Sequence, residues 1–218
     1  MIRKASVDAK AFSTALDQVS KVLRKSSIPV LSEVLVAISG GQCTLTATDI
    51  ETWLFQKIPA RGDDLSFVFR KTKDVAKACR LFDGELELEF SDTGEGKYRS
   101  LTLCMRCGGR AVEFEAMAAE DYPVCAPIKA KASFTVNAAA LLKRVELVGY
   151  AAGKPASTER ATCGNVQFSG KYVFALDGTR LACDTDESLI APRPFMTYAE
   201  SLSHLRMFGD QEVTVELG

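Results

Sequence analysis

The sequence contains one strand-and-turn segment twice. Residues 46–51 read TATDIE and residues 175–182 read ALDGTRLA, and in each an apolar, β-prone run is closed by an aspartate followed by polar residues. The two aspartates, Asp49 and Asp177, lie 128 positions apart. An internal repeat narrows the possible folds sharply, because both copies must be able to adopt the same supersecondary structure.

The repetition extends over whole structural units. Each copy begins with a short strand and an amphipathic helix, for which Asp8 and Asn137 are the expected N-caps. Three β-rich runs and a further strand follow in both copies. A second helix is predicted at 71–82 in the first copy and at 195–208 in the second, and an alternating strand comes after each.

The segment between the copies predicts a domain boundary. Residues 118–132 contain two prolines and show no hydrophobic period, which is typical of a linker. We therefore expect an α+β fold with two domains, 1–128 and 129–218. Each domain is predicted to pack two helices on one face of a curved antiparallel sheet.

The second copy is shorter than the first. With an offset of 128, position 218 corresponds to position 90, so the second copy has no counterpart of the hairpin at 97–117. A sheet that ended there would leave an edge of unpaired N–H and C=O groups on the strand near Glu212–Leu217, which native proteins rarely tolerate. The sequence thus favours a piece of a longer protein, or another element that covers this edge.

The composition indicates a soluble, cytoplasmic protein. The first residues lack the apolar core of a signal peptide, and no apolar run reaches the ~20 residues of a membrane span. The seven cysteines are scattered and odd in number, which argues against a disulfide framework. CMRC at 104–107 has the CxxC spacing of thiol oxidoreductases. Its flanks suit a β-hairpin, however, whereas a redox CxxC normally begins a helix.

Charge is distributed unevenly along the chain. The total is nearly balanced, with 27 basic and 28 acidic residues, yet three predicted helical segments, 9–25, 70–80 and 137–154, together carry +9. Basic helices that shared one surface would attract a polyanion without reading its sequence. The residues predicted to contact the phosphates of such a polyanion are Arg24, Lys25, Lys73, Lys77, Lys143 and Arg144.

Residues suited to catalysis are scarce. The single histidine, His204, falls in a predicted helix, and the sequence has neither a Walker A loop nor a GxGxxG motif. Asp49 and Glu51 form the nearest approach to a carboxylate pair, but Asp177 has no matching acidic neighbour. We therefore expect a non-enzymatic protein without a metal or cofactor.

Several segments resemble the bacterial replicative sliding clamp, the β subunit of DNA polymerase III. They are KVLRKSSIPVLSEVLVAI, LTATDIE, AEDYP, ALDGTRLA and IAPR, and the resemblance covers nearly all 218 residues in order. It implies the DNA-clamp fold, in which three such domains per chain and two chains close a ring around duplex DNA. It also implies a processivity factor that tethers DNA polymerase, the clamp loader and repair proteins through short peptide motifs.

The resemblance also assigns two protein-binding sites. A subunit interface edge would lie along the strand at 110–117, with Val112 and Phe114. Leu176 and Thr179 depart from the family pattern, which has Thr and His there, and Cys163-Gly164-Asn165 stands for the family's LNG. The cleft for partner peptides would be formed by Cys163, Leu176, Gly178, Thr179, Arg180 and Leu181.

Two other functions remain open from the sequence. One is a clamp-like DNA-binding protein with only two domains, which would need more copies to close a ring. The other is a thiol oxidoreductase that uses CMRC at 104–107. The second function requires both cysteines at the start of a helix.

Overall fold

The structure is a computed structural model that describes residues 1–94, 96–153 and 161–218. It divides into two compact units, Met1–Cys125 and Ala126–Gly218. The boundary proposed from the sequence lies three residues later, after residue 128. Among the described residues, no helix has both the length and the apolar character needed to cross a bilayer.

The first unit is built on eight antiparallel strands. They pair in the spatial order β1-β4-β3-β2-β5-β8-β7-β6, and β6 returns to β1 to close a barrel. The strands are β1 (Ile2–Asp8), β2 (Leu35–Ser39), β3 (Gln42–Thr48), β4 (Trp53–Gly62), β5 (Leu65–Phe69), β6 (Glu85–Thr93), β7 (Ser100–Cys107) and β8 (Arg110–Met117).

Two helices complete the first unit, α1 (Ala9–Val19) and α2 (Thr72–Cys79). The side chain of Asp8 accepts the N–H of Ala11 at 2.8 Å, so the predicted N-cap of α1 is confirmed. Phe12, Leu16 and Val19 lie on one face of α1 and are fully buried in the same core as the strands. Each contributes about 1.5–3 kcal/mol to stability by leaving water.

The second unit repeats this plan in two smaller sheets. One sheet has the order β12-β11-β10-β13 and the other pairs β14 with β9. The strands are β9 (Ala132–Asn137), β10 (Asn165–Gly170), β11 (Tyr172–Leu176), β12 (Leu181–Thr185), β13 (Ala191–Tyr198) and β14 (Glu212–Leu217), and the helices are α3 (Ala138–Gly149) and α4 (Ala199–Leu202). Asn137 caps α3 by accepting the N–H of Ala140 at 2.9 Å, as predicted.

The two units correspond strand by strand. The order β12-β11-β10-β13 matches β4-β3-β2-β5 at the repeat offset, and β14-β9 matches β6-β1. The prediction of an α+β fold built from repeated antiparallel units is therefore confirmed. The two units differ in one respect. Strand β12 of the second unit has five residues and ends at Thr185, whereas its counterpart β4 has ten. Among the described strands, β9 and β12 do not pair in the way that β1 and β4 do.

The open strand edge predicted near Glu212–Leu217 is confirmed. All six residues of β14 are in register with β9, and the other edge of β14 lacks a strand among the described residues. One prediction for the second unit is wrong. The helix predicted at 195–208 begins later, at Ala199. Residues 195–198 belong to β13 because the ring of Phe195 stacks on that of Phe168 in β10, 4.4 Å away.

The repeated aspartates close equivalent turns. The carboxylate of Asp49 accepts the N–H of Thr52 at 2.7 Å, and that of Asp177 accepts the N–H of Arg180 at 2.8 Å. The residue after each aspartate has a positive φ, 79° at Ile50 and 93° at Gly178. Glycine adopts this conformation freely, whereas a β-branched side chain is strained in it.

We expect Ile50→Gly to stabilise the first unit by about 0.5–1 kcal/mol. The relief of strain at positive φ exceeds the entropy that glycine adds to the unfolded chain, and Ile50 is already 58% exposed. The measurement is urea unfolding followed by the fluorescence of Trp53. Ile28→Gly is the matched control, since Ile28 is exposed but has a φ of −94°, and this change should destabilise the unit. Equal effects of both changes would show that Ile50 is not strained.

Candidate nucleic-acid and peptide interfaces

The basic residues predicted to contact phosphate in the first unit surround one open groove of about 770 Å³. One side of the groove is formed by the end of α1 and the residues after it, and the other side by α2. All four predicted residues of this unit line it, together with two cations absent from the predicted set. The six are Arg24, Lys25, Lys71, Lys73, Lys77 and Arg80.

Three of these cations already have acidic partners. Arg24 pairs with Asp49 at 3.2 Å, Lys77 with Asp74 at 3.2 Å, and Arg80 with Asp17 at 3.1 Å. All three pairs are exposed on the cation side, so each contributes little to stability. The remaining three, Lys25, Lys71 and Lys73, are exposed and form no ion pair within the described part of the chain.

The groove depends on how α2 begins. Lys71 stands at the N-cap position of α2 but makes no capping hydrogen bond with its side chain. Glu33 replaces that cap, because its carboxylate accepts the N–H of Thr72 at 2.6 Å. The hydroxyl of buried Thr72 in turn accepts the N–H of Val34 at 3.1 Å. This cross-link holds the first turn of α2 beside the start of β2 and leaves Lys71 and Lys73 in solvent.

In the second unit the two predicted DNA contacts on α3 have different environments. Lys143 is exposed, as a phosphate contact requires. Arg144 is only 4% exposed, and its guanidinium pairs with Asp184 at 2.9 Å and Asp186 at 3.6 Å. The prediction of Arg144 as a DNA contact is therefore wrong, because its charge is used inside the unit to join α3 to the end of β12.

The predicted peptide cleft is organised by the turn at 177–180. Asp177 accepts both the N–H and the hydroxyl of Thr179, at 3.0 and 2.9 Å, and its second oxygen accepts the Nε–H of Arg180 at 2.8 Å. Main-chain and side-chain donors from these two residues lower the pKa of Asp177 well below its ordinary value. These hydrogen bonds hold Thr179 and Arg180 in place. Gly178, which lies between Asp177 and Thr179 in the turn, is exposed.

The apolar residues of the cleft lie at the end of the same hairpin. Leu176 and Leu181 face each other in the register of β11 and β12. Leu176 is half-buried, whereas Leu181 is 69% exposed and so is not a core residue. Cys163 is buried in a short 3₁₀ turn, Ala161–Gly164, just before β10. The turn thus presents one exposed leucine next to a rigid polar loop.

The strand β8 has an open edge. Residues 110–115 pair with β7 alone, and β5 joins β8 only at Ala116 and Met117. Because the turn Gly108-Gly109 has two residues, the ladder places the main-chain groups of Ala111, Glu113 and Glu115 on the side away from β7. The side chains of the predicted edge residues, Val112 and Phe114, pack against the unit's own core. The part available to a partner strand is therefore the main chain.

The CMRC segment lies in a strand, as the sequence analysis predicted. Cys104 and Cys107 are both in β7. Residues three apart in a strand point to opposite faces with Cα atoms about 10 Å apart, too far for a disulfide. The structure contradicts a thiol oxidoreductase that uses CMRC.

The chain matches a known family over more than half of its length. Residues 4–126 match the family described as DNA polymerase III beta subunit, N-terminal domain. This chain belongs to the DNA polymerase III beta subunit family. A comparison of its sequence with curated proteins finds no match.

Solved structures of this family share the fold of this chain over its whole length. The C. crescentus beta sliding clamp superposes with a TM-score of 0.82 at 18% identity, over 100% of this chain and 60% of that one. The sliding clamp of Pseudomonas aeruginosa gives 0.78 at 20% identity, and the DNA polymerase III beta subunit of Thermotoga maritima gives 0.76 at 22%. Each of these two matches covers 99% of this chain and about 60% of the solved chain. The chain therefore spans about three-fifths of the beta subunits that it matches.

Family membership and geometry together show what sequence reasoning missed. Lys71 belongs to the basic segment 70–80 but is absent from the predicted DNA contacts. Its charge at the start of the helix predicted at 71–82 is the signal that could have indicated it. The burial of Arg144 had no local signal, since Asp184 lies 40 residues away in sequence.

Neutralising the two neighbouring cations of α3 should have opposite consequences. We expect Arg144→Gln to reduce the free energy of unfolding of the second unit by about 2 kcal/mol. This loss of stability is smaller than the loss expected for a fully buried ion pair, because Asp184 and Asp186 stay about one-third exposed. Lys143→Gln is the matched control and should leave stability unchanged within about 0.5 kcal/mol. Urea unfolding monitored by circular dichroism measures both, and a stable Arg144→Gln protein would contradict the structural role.

Proposed function

We propose that this chain forms part of a DNA-encircling sliding clamp, a processivity factor that tethers DNA polymerase and repair proteins to duplex DNA. The observation that carries the proposal is the groove between α1 and α2, where three exposed lysines form no ion pair with any described residue, in the unit that matches the family. The proposal includes the absence of catalysis and a cytoplasmic location.

The groove suits phosphate contact rather than base reading. Its cations are mostly lysines, which carry a point charge on a flexible stem and can follow a moving phosphate. Contacts of this kind carry no sequence information. An encircling protein does not need tight binding, because topology keeps it on the duplex. We therefore expect this chain alone to bind duplex DNA weakly, with a Kd of about 10⁻⁴ M or higher at physiological salt.

Ring closure would use the open edge of β8. A strand from a second chain can pair with the main-chain groups of Ala111, Glu113 and Glu115, while Val112 and Phe114 keep the edge rigid from behind. Arg70 pairs with Glu115 at 3.3 Å at the end of this edge. On the family pattern, the partner would be the third domain of a second, identical chain.

Partner proteins would bind at the turn of the second unit. Leu181 offers an exposed apolar side chain, and the rigid loop Gly178–Arg180 offers main-chain groups that can orient an extended peptide. Leu176, in place of the family's Thr, makes the floor of the site more apolar. The partners proposed are DNA polymerase, the clamp loader and repair proteins, each through a short motif rich in Leu, Phe and Gln.

The slope of log K against log salt is negative for binding to DNA phosphates, and we expect Lys73→Gln to make it shallower by about 0.9. Lys73 is exposed in the groove without an acidic partner among the described residues, so each duplex phosphate that it contacts releases one counterion. Fluorescence anisotropy of a labelled duplex, measured from low to moderate salt, gives the slope. Lys57→Gln is the control, because Lys57 is exposed on β4 away from the groove. Identical slopes for both variants would place DNA elsewhere.

Leu181→Ala should weaken a peptide rich in Leu, Phe and Gln by at least fivefold. A side chain that anchors a bound peptide contributes more than about 1 kcal/mol when it becomes buried. The titration follows the anisotropy of a labelled peptide. Ile190→Ala is the matched control, since Ile190 is 63% exposed in the same unit but outside the turn. An unchanged affinity in Leu181→Ala, or the same loss in both variants, would remove the assignment of the cleft.

A further inference from the structure

The open edge of β8 results from the course of the first unit's own chain. Strand β5 pairs with β8 only at Ala116 and Met117, because β5 ends at Phe69 and the chain then continues into α2 at Thr72. No described strand remains to pair with residues 110–115 on the side away from β7. An edge of this kind is a template for another strand unless its side chains prevent pairing.

The side chains of this edge are divided between two faces. Val112 and Phe114 pack against the core of the unit. Glu113 and Glu115 alternate with them and are exposed, so both carboxylates lie on the outer face. The main-chain groups that are free to pair belong to these outward-facing residues, because the hairpin with β7 uses the groups of the residues between them. An added strand would therefore lie directly beside the two carboxylates.

The two carboxylates are only weakly compensated within the unit. Arg70 pairs with Glu115 at 3.3 Å, but both side chains are more than half exposed, and a pair of this kind is weak. Glu113 forms no ion pair with a described residue, and Arg106, the one basic residue of β7, lies opposite Ala111 instead. The outer face of the edge thus keeps a negative charge that a partner can contact.

The geometry of antiparallel pairing determines what a partner strand must present. A partner residue that exchanges both main-chain hydrogen bonds with Glu113 has its Cα about 5.5 Å from that of Glu113 and its side chain on the same face. An opposite charge at that position stabilises the pair of strands, whereas a like charge destabilises it. The next partner residue is directed to the other face, which is the face of Val112 and Phe114, so an apolar side chain suits it.

We propose that β8 selects a partner strand with basic residues at two alternate positions, opposite Glu113 and Glu115, and an apolar residue between them. This inference rests on the ring closure proposed above and adds the chemistry of the strand that closes the ring. The same carboxylates disfavour pairing with the β8 edge of a second copy, because antiparallel pairing centred on Glu113 would place two glutamates opposite each other. The edge is thereby unsuited to an identical edge and suited to a basic strand.

Three short peptides test this selectivity. Each has the palindromic pattern Thr-X-Val-X-Val-X-Thr, with Lys, Thr or Glu at every X. The Lys peptide should bind the unmodified chain about fivefold more tightly than the Thr peptide, and the Glu peptide should bind more weakly than the Thr peptide. The preference should shrink at high salt, because the charges are exposed. Titrations at low salt that follow the amide NMR signals of Ala111, Glu113 and Glu115 give both the affinity and the site.

Reversing the charge of the edge should reverse the order of affinities. In Glu113→Lys/Glu115→Lys we expect the Glu peptide to bind more tightly than the Lys peptide. The matched control is Glu85→Lys/Glu87→Lys, which makes the same change in net charge at exposed alternate positions of β6, a strand that is paired on both sides. This control should keep the order of the unmodified chain. Glu113→Lys alone leaves the ion pair of Arg70 intact and should reduce the preference for the Lys peptide.

Three results would overturn the proposal. Equal affinities of the Lys and Glu peptides would remove the charge selectivity and leave the edge as the proposed site of ring closure. An order that stays the same in Glu113→Lys/Glu115→Lys, or that reverses equally in the β6 control, would assign the preference to net charge. If no peptide shifts the signals of Ala111, Glu113 and Glu115, the selectivity and the proposed closure edge both fail.

Discussion

One aspartate in each unit holds two strands in a single register. Asp49 sets β3 against β4, and Asp177 sets β11 against β12, each through a hydrogen bond to the N–H of the residue three positions later. Side chains alternate between the faces of a strand, so a slip of one residue would exchange the buried and the exposed set. The placement of Leu181 opposite Leu176, and of Trp53 beside Tyr122, depends on this register.

Charge on the helices has two distinct uses. Lys25, Lys71 and Lys73 remain in solvent, where their field reaches outward. Arg144 lies one position from exposed Lys143 but faces the interior, where two carboxylates and the carbonyl of Lys171 surround its guanidinium. The net charge of a helix therefore overstates the number of positive charges that a polyanion can contact. Burial and pairing have to be known for each residue before a charge is assigned to binding.

Much of the fold could be predicted from the sequence, because its signals are local or repeated. The spacing of Phe12, Leu16 and Val19 indicated α1, and the offset between Asp49 and Asp177 indicated two similar units. Closure of the first sheet into a barrel could not be read in this way, since it joins residues at opposite ends of the unit. The strand at Phe195 was mistaken for helix because its stacking on Phe168 is a tertiary contact. In the candidate sites, sequence indicated the positions but not which of them face solvent.

The closed barrel has a consequence for how the first unit forms. Its N-terminal strand β1 pairs with residues 60–62 and 85–91, so its first neighbour exists only when about half of the unit has been synthesised, and its second only after residue 85. Pairings between such distant segments are slow, because the entropy of loop closure is lost before any contact compensates it. The second unit shares this constraint, because its first strand β9 pairs with residues 212–217 of β14. On a ribosome, the first strand of each unit therefore stays without its partners until the later strands of that unit have been made.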